Sequence, residues 1–279
     1  MSAPKSTRQW LLAEKPIDLP VLEGPSQTFK LETADIPALR DDQVLIKTLY
    51  LSNDPAQRGW ISRDINPDRL YAVPVKLNTP MHAYALCQVV QSKSAGVKEG
   101  AVVLAAPGWT EYAVLDAKAV EPTPNLPGGL NITHYLGALG GTGLTAYYGL
   151  KVVAEAEPSD RVVISGAAGA TGSMAVQIAK KFIGCKRVVG IAGSDKKCRW
   201  VESRGADKCL NYKKSTFKED LIKETEGFVD VYFDNVGGDI LDLMFTRMAK
   251  AGRIAACGAI SSYNKSASTE WIEELVRGH

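Results

Sequence analysis

The segment RVVISGAAGATGSMAVQIAKKFI (Arg161–Ile183) decides the fold. Its first part, RVVISG, is a short β-branched run ending on glycine, the pattern of a strand buried on both faces. Glycines follow at Gly166, Gly169 and Gly172. From Gly172 the apolar residues fall at helical spacing: Met174, Ile178 and Phe182 on one row, Ala175, Ala179 and Ile183 on the next. Strand, glycine loop and helix in this order make the first half of a βαβ unit. The glycines let the backbone turn tightly, and the free N–H groups at the helix start face an anion such as a pyrophosphate.

The alternation continues toward the C-terminus. RVVGIAG (Arg187–Gly193) reads as a second strand. SDKKCRWVESRG (Ser194–Gly205) reads as a helix capped by Ser194 or Asp195 and ended by Gly205. KCLNY (Lys208–Tyr212) is a third strand, STFKEDLIKETEG (Ser215–Gly227) a helix, and VDVYFDN (Val229–Asn235) a fourth strand. DILDLMFTRMAKAG (Asp239–Gly252) is expected as a helix and RIAACGAI (Arg253–Ile260) as a fifth strand. The fold class is α/β, with a doubly wound parallel sheet. This is one strand fewer than the full 3-2-1-4-5-6 order, so the sixth is expected to be missing or supplied from elsewhere.

Toward the N-terminus the texture changes. VLIKTLYLS (Val44–Ser52), ALCQVVQS (Ala85–Ser92), AVVLAA (Ala101–Ala106) and EYAVLD (Glu111–Asp116) are short β-type runs between turn residues. The division expected is a β module over residues 1–126 and a dinucleotide-binding domain over residues 127–279. The uncharged stretch Thr123–Leu150 holds Asn125, Pro127, Asn131, His134 and several glycines, so it reads as loop plus short helix rather than a membrane span.

Composition narrows the functions. Over 279 residues, 33 Lys and Arg balance 31 Asp and Glu, a net charge of +2 that gives no general basic surface for nucleic acid. The 5 cysteines are odd in number and lack CxxC spacing, which argues against a disulfide framework and for a reduced, cytoplasmic setting. The histidines, His82, His134 and His279, have no cysteine partner in a catalytic-zinc arrangement, so metal-free chemistry is expected. The second strand of the parallel half selects the nucleotide. An NAD site wants Asp or Glu at its end. Here it ends in Ala192-Gly193-Ser194, with Lys196 and Lys197 close behind, which suits the 2′-phosphate of NADPH.

These residues carry a family resemblance. LSNDPAQRGWIS (Leu51–Ser62), VVLAAPGWTEYAVLD (Val102–Asp116), LGALGGTGLTAYYGL (Leu136–Leu150), SGAAGATGSMAVQIAK (Ser165–Lys180), AGSDKK (Ala192–Lys197), NYK (Asn211–Lys213), VYFDNVGG (Val231–Gly238) and GRIAACGAISSYN (Gly252–Asn264) stand in the family's order. The chain resembles the zinc-independent medium-chain dehydrogenase/reductases, and within them the leukotriene B4 dehydrogenase/prostaglandin reductase group of NADPH-dependent alkenal and enone reductases. NDPAQRGW and HAYALCQVV resemble fungal members. The resemblance implies a GroES-like N-terminal module beside a Rossmann domain, with the active site in the cleft between them. By resemblance, Lys197 and Tyr212 hold the 2′-phosphate beside Gly193 and Ser194. Gly169, Ala170 and Thr171 line the pyrophosphate. Thr142, Gly143 and Thr145 sit near the nicotinamide and its phosphate, and Asn235 contacts the cofactor. Cys257, Gly258, Ala259 and Ile260 flank the nicotinamide, and Tyr263 hangs over the substrate.

The implied reaction is hydride transfer from NADPH to the β-carbon of a small α,β-unsaturated carbonyl. Tyr263 would then orient the carbonyl and stabilise its oxygen, since a phenol of pKa about 10 is a poor proton source. NADPH quinone reduction and a non-catalytic NADPH-binding product are the alternatives. Asp54 and Arg58 are expected to form a structural pair, and Trp60 and Trp109 to be core or wall aromatics. Ala56 and Gln57 replace the Tyr that the family often carries after DP, leaving specificity open, and Pro80-Met-His82-Ala replaces a glycine-rich approach. After SSYN, the segment SASTEWIEELVRGH departs from the family pattern, and a C-terminal truncation is expected from that. The family's homodimer, formed through the sheet edge, would be weakened or altered by it.

Overall fold

The computed structural model describes residues 4–63, 68 and 72–264. They form two compact units: one runs to Leu136 and takes in Tyr263 and Asn264, the other is Gly137–Ser262. The segment SASTEWIEELVRGH, His279 included, lies outside the described residues.

In the first unit β1 (Ser6–Leu12) and β2 (Phe29–Asp35) pair antiparallel. Then come β3 (Gln43–Leu51), the single helical turn α1 (Gln57–Trp60), β4 (Ala85–Ser92), β5 (Val102–Ala105), β6 (Tyr112–Asp116) and β7 (Glu121–Pro122). The last five strands make an antiparallel sheet in the order β6-β3-β4-β5-β7. Side chains two apart share a face, so Val44 and Ile46 meet Ala85, Cys87, Val89, Val103 and Ala105 in one core. A second core gathers Leu12, Trp60, Ile61, Val75 and Met81, with Trp109 packed against it and tilted over Phe29 at 5.1 Å.

The strand pair β1–β2 has no counterpart in the sequence reading. Most of β2 faces solvent, its apolar alternation is limited to Phe29 and Leu31, and the connection holds Pro16, Pro20 and Pro25 instead of a short hairpin turn. The expected Asp54–Arg58 pair is not what forms. Asp54 accepts from the Ser52 hydroxyl at 2.7 Å, while Arg58 donates to the carbonyls of Ile17 and Asp18 and to Asn264 Oδ1 at 3.0 Å. Arg58 Nη2 donates to both carbonyls of the β1–β2 connection and Nε to Asn264, so these donors are used away from Asp54.

The second unit begins with α2 (Gly141–Tyr148), widening into a π turn over Gly149–Val153. It continues β8 (Arg161–Ile164), α3 (Ala170–Gln177), β9 (Arg187–Ala192), α4 (Asp195–Arg204), β10 (Lys208–Asn211), α5 (Phe217–Glu224), β11 (Val229–Asp234), α6 (Gly238–Phe245) and β12 (Met248–Ala256). All neighbours in this sheet are parallel, in the order β10-β9-β8-β11-β12. Its two faces bury different residues. Val162, Ile164, Val231 and Phe233 pack with Ala146, Leu150, Ala175 and Val176. Val163, Val189, Ile191 and Tyr232 pack with Leu221 and Met244 on the other side. Burial on both faces is why these strands read as unbroken apolar runs.

Boundaries move near the C-terminal end. The helix expected over Asp239–Gly252 ends at Phe245, and the strand expected over Arg253–Ile260 is β12, Met248–Ala256. Tertiary bonds override the helical spacing: the Val229 amide donates to the Arg247 carbonyl, and the Arg247 side chain donates to the Thr225 hydroxyl and carbonyl at 2.9 Å. Pairing then slips between Val229–Met248 and Val231–Arg253, where Ala251 takes a φ of 62°. Among the described residues the parallel sheet has five strands.

The packing makes a specific demand at Gly149. A Cβ there would lie 2.5 Å from Cε2 of Phe233, a ring with no exposure. Ala gains up to about 1 kcal/mol in helix propensity over Gly, but overpacking costs about 1–3 kcal/mol. Gly149→Ala is therefore expected to lower stability by about 1–2 kcal/mol in urea unfolding, whereas Gly141→Ala, whose Cβ meets nothing within 4 Å, should not.

Candidate functional site

The sheet order places a topological switch between β8 and β11. The chain runs outward from β8 to β9 and β10, then crosses to β11 on the other side. Ligands of open α/β sheets bind beyond the carboxyl ends of the strands at such a point. The glycine loop leaves β8 there, and Asn235 leaves β11 beside it: a Cβ on Gly166 would be 3.3 Å from the Asn235 Cβ. Gly166 has a φ of 57°, which favours glycine. Gly172 is held tighter still, since a Cβ would fall 2.3 Å from the Gly166 carbonyl oxygen. Gly169 caps α3 without a side-chain hydrogen bond. The first N–H groups of α3, from Ala170 and Thr171 onward, thus remain free for an anion.

The end of β9 forms a second corner. The Tyr212 ring lies against Gly193, where a Cβ would meet Cε1 at 3.1 Å. Ser194 Oγ accepts from the Lys197 amide at 3.2 Å, which settles the cap of α4 in favour of Ser194. Gly193, Ser194, Lys197 and Tyr212 are thereby brought together, with Lys213 6.0 Å over the Tyr212 ring.

Strand ends β8, β11 and β12 are tied together by Asp234, a residue the sequence reading did not single out. Its Oδ1 accepts from the Ser165 hydroxyl at 2.8 Å, the Tyr232 phenol at 2.7 Å and the Val236 amide at 3.0 Å. The Gly237 amide donates to both carboxylate oxygens at 3.1 Å. The Asp234 carbonyl accepts from the amides of Cys257 and Gly258. Ser165 in turn receives the Asn235 amide at 2.8 Å on its hydroxyl, and its carbonyl receives Asn235 Nδ2 at 2.7 Å. Burial, with the Asp234 charge, pushes the Tyr232 phenol upward, so its proton stays in the bond. Ala259 lies against Gly237, 3.2 Å from where a Cβ would stand, and Ile260 is exposed just beyond.

Thr145 and Cys257 meet in an open cavity of about 450 Å³, lined also by Leu144, Tyr148, Phe233 and Ala256. Cys257 is exposed at this cavity; desolvation of its sulfur by the surrounding protein, then the Asp234 charge, raises the thiol, which disfavours the thiolate that nucleophilic attack needs. Thr142 donates its hydroxyl to the Gly137 carbonyl at 2.9 Å, and Gly143 admits no side chain because a Cβ would lie 1.9 Å from the Ala138 oxygen. Tyr148 lines the cavity, while Tyr147 packs edge-on against Phe182. Tyr263 is half-buried and belongs to the first unit, next to the Asn264 that Arg58 holds. Among the described residues no three His, Cys, Asp or Glu side chains gather to hold a metal ion.

Comparison with known proteins bears on the family and the fold. Residues 8–123 match the family model "N-terminal domain of oxidoreductase", and residues 170–273 match "Zinc-binding dehydrogenase". Prostaglandin reductase 1 of Bos taurus is 38% identical over 262 residues, covering 93% of this chain and 74% of that protein. The chain belongs to the zinc-independent medium-chain dehydrogenase/reductases, in their prostaglandin reductase/enone reductase group. The NADPH-dependent curcumin reductase of Escherichia coli is 35% identical over 258 residues, covering 92% of this chain and 71% of that protein. The crystal structure of CurA from Vibrio vulnificus in complex with NADPH superposes with a TM-score of 0.83 at 34% identity, covering 96% of this chain and 79% of that one.

Ser165 and Asp234 have a signal visible in hindsight: a polar residue ends each buried strand immediately before its loop. Asp234→Ala leaves the Ser165 and Tyr232 hydroxyls and two amides without their acceptor. Buried donors left unpaired cost about 1–3 kcal/mol each where water cannot reach. The expected loss is about 2–4 kcal/mol in chemical unfolding.

Proposed function

We propose that this chain reduces the carbon–carbon double bond of α,β-unsaturated aldehydes and ketones with NADPH. The observation that carries the reading is the corner at the end of β9. Tyr212 closes over Gly193 there and Ser194 caps α4 beside Lys197, where an NAD site would present a carboxylate. The donor set fits a dinucleotide phosphate: free amides at the start of α3 for the pyrophosphate, and a hydroxyl and a cation for the 2′-phosphate. The printed names of the relatives, prostaglandin reductase and NADPH-dependent curcumin reductase, support the same chemistry.

Bound NADPH supplies the hydride that the β-carbon of the enone receives. The chain's own residues hold and orient. Asn235, fixed by Ser165, and the backbone from Cys257 to Ile260 border the nicotinamide, with Thr142, Gly143 and Thr145 near its phosphate. Tyr263 donates a hydrogen bond to the carbonyl oxygen, where negative charge grows as the hydride arrives. Water protonates the α-carbon. No helix among the described residues is long and apolar enough to cross a membrane, and a cytoplasmic setting accords with five free thiols.

A thermal melt of the chain tests the cofactor. Saturating NADPH at a hundredfold excess over Kd should stabilise it by about 2.7 kcal/mol, and the same concentration of NADH should shift it less. Lys197→Ala is expected to weaken NADPH roughly ten- to hundredfold, the worth of one charged hydrogen bond, and to leave NADH nearly unchanged in fluorescence titration. In steady-state assays with an enone, Tyr263→Phe should lower kcat roughly a hundredfold. Full turnover in that variant would remove Tyr263 from the mechanism, and no NADPH oxidation by the parent chain with any enal or enone would remove the reductase reading.

A further inference from the structure

The 2′-phosphate corner contains a carboxylate that works against it. Asp195 follows Ser194 directly and is the first residue of α4, so its charge favours the helix N-terminus. The same negative charge beside a bound 2′-phosphate is repulsive. Two groups hold it. Asn211 Nδ2 donates to Asp195 Oδ1 at 3.1 Å, and Lys214 Nζ lies 3.0 Å from the same oxygen. Asn211 neighbours Tyr212, whose ring rests on Gly193, so Asp195 is anchored inside the corner and not on a remote face. Asn211 Oδ1 also accepts from the Lys213 amide at 3.1 Å, which stiffens the turn that carries Lys214.

We propose that Lys214 is a specificity-determining residue: by pairing with Asp195 it cancels the one carboxylate at the start of α4 and so permits a 2′-phosphorylated nucleotide to be preferred. This rests on the NADPH reading above. Asp195 keeps its benefit to α4, and Lys214 removes the cost of that charge to the phosphate without touching the nucleotide. Hydrogen bonding from Asn211 and Lys214 holds the Asp195 carboxyl below its usual range, so it is ionised near neutral pH and the pairing is between full charges. Both side chains are about half exposed, so the effect is a modest one that salt screens.

The test is fluorescence titration of NADPH and NADH into four purified proteins: the parent chain, Lys214→Gln, Asp195→Asn and the double variant. In low salt Lys214→Gln should lower the NADPH-over-NADH preference by about two- to fivefold, the range of one exposed ion pair, with the NADH Kd unchanged. Asp195→Asn should keep or raise the preference, and the double variant should match Asp195→Asn, because Lys214 has nothing left to cancel. An equal loss in the Asp195→Asn background would overturn the proposal, since Lys214 would then act on the phosphate directly. Equal weakening of both nucleotides, or no change in preference, would overturn it as well. A parent chain that does not prefer NADPH overturns the cofactor reading, and the role of Lys214 falls with it before any variant is compared.

Discussion

The hydrogen bonds converging on Asp234 set the geometry on which the nucleotide edge depends. One buried carboxylate takes the Ser165 hydroxyl at the end of β8, the Tyr232 phenol within β11 and the amides that start the turn into α6. Its carbonyl takes the amides where β12 ends. Three parallel strands are therefore cut off at a common level. Main-chain ladders alone would not ensure this, because a parallel ladder constrains register but not where each strand stops. In the low dielectric of the interior these charge-assisted bonds are short and mutually reinforcing. Asn235 then has a single available position, held by both its amide groups on Ser165.

Close backbone approach supplies the rest of the site. Gly172 and Gly143 lie so near a neighbouring carbonyl that no side chain fits, and Gly166 takes a left-handed turn. Gly166 and Gly172 together bring the start of α3 against the end of β8, leaving amides rather than side chains at that turn. At the end of β9 the logic shifts from shape to charge. Gly193 makes room for the Tyr212 ring, Ser194 orders the first turn of α4, and lysines outnumber the single acid, Asp195, that Asn211 and Lys214 restrain. Under the proposed function, backbone geometry would set where the dinucleotide lies, and side-chain charge at the end of β9 would bear on which one is preferred.

Much of this was legible in the amino-acid sequence because it is local. Unbroken apolar runs announced β8, β9 and β11, helical spacing announced α3, and Gly205 marked the end of α4, with Ser194 and Asp195 both suited to cap its start. The glycine loop and the lysines after Gly193 pointed to a nucleotide phosphate before any coordinates, since the residues that bind it lie within a few positions of one another. What escaped was non-local. The pair β1–β2 joins segments whose own patterns are weak, and the early end of α6 follows from Arg247 reaching Thr225. The Asp54–Arg58 pair, plausible from spacing, gave way to carbonyls of Ile17 and Asp18 that no spacing could place nearby.

The sequence by itself determined the α/β class, the glycine loop, the candidate phosphate residues and the family, because each depends on residues close in the chain or on ordered motifs. Only the tertiary structure decided that Asp234 joins β8, β11 and β12, that Tyr212 closes on Gly193, and that Lys214 neutralises Asp195. The physical reason is common to all three. Each joins segments separated in sequence, and only a sheet wound in the order β10-β9-β8-β11-β12 brings those segments within hydrogen-bonding distance.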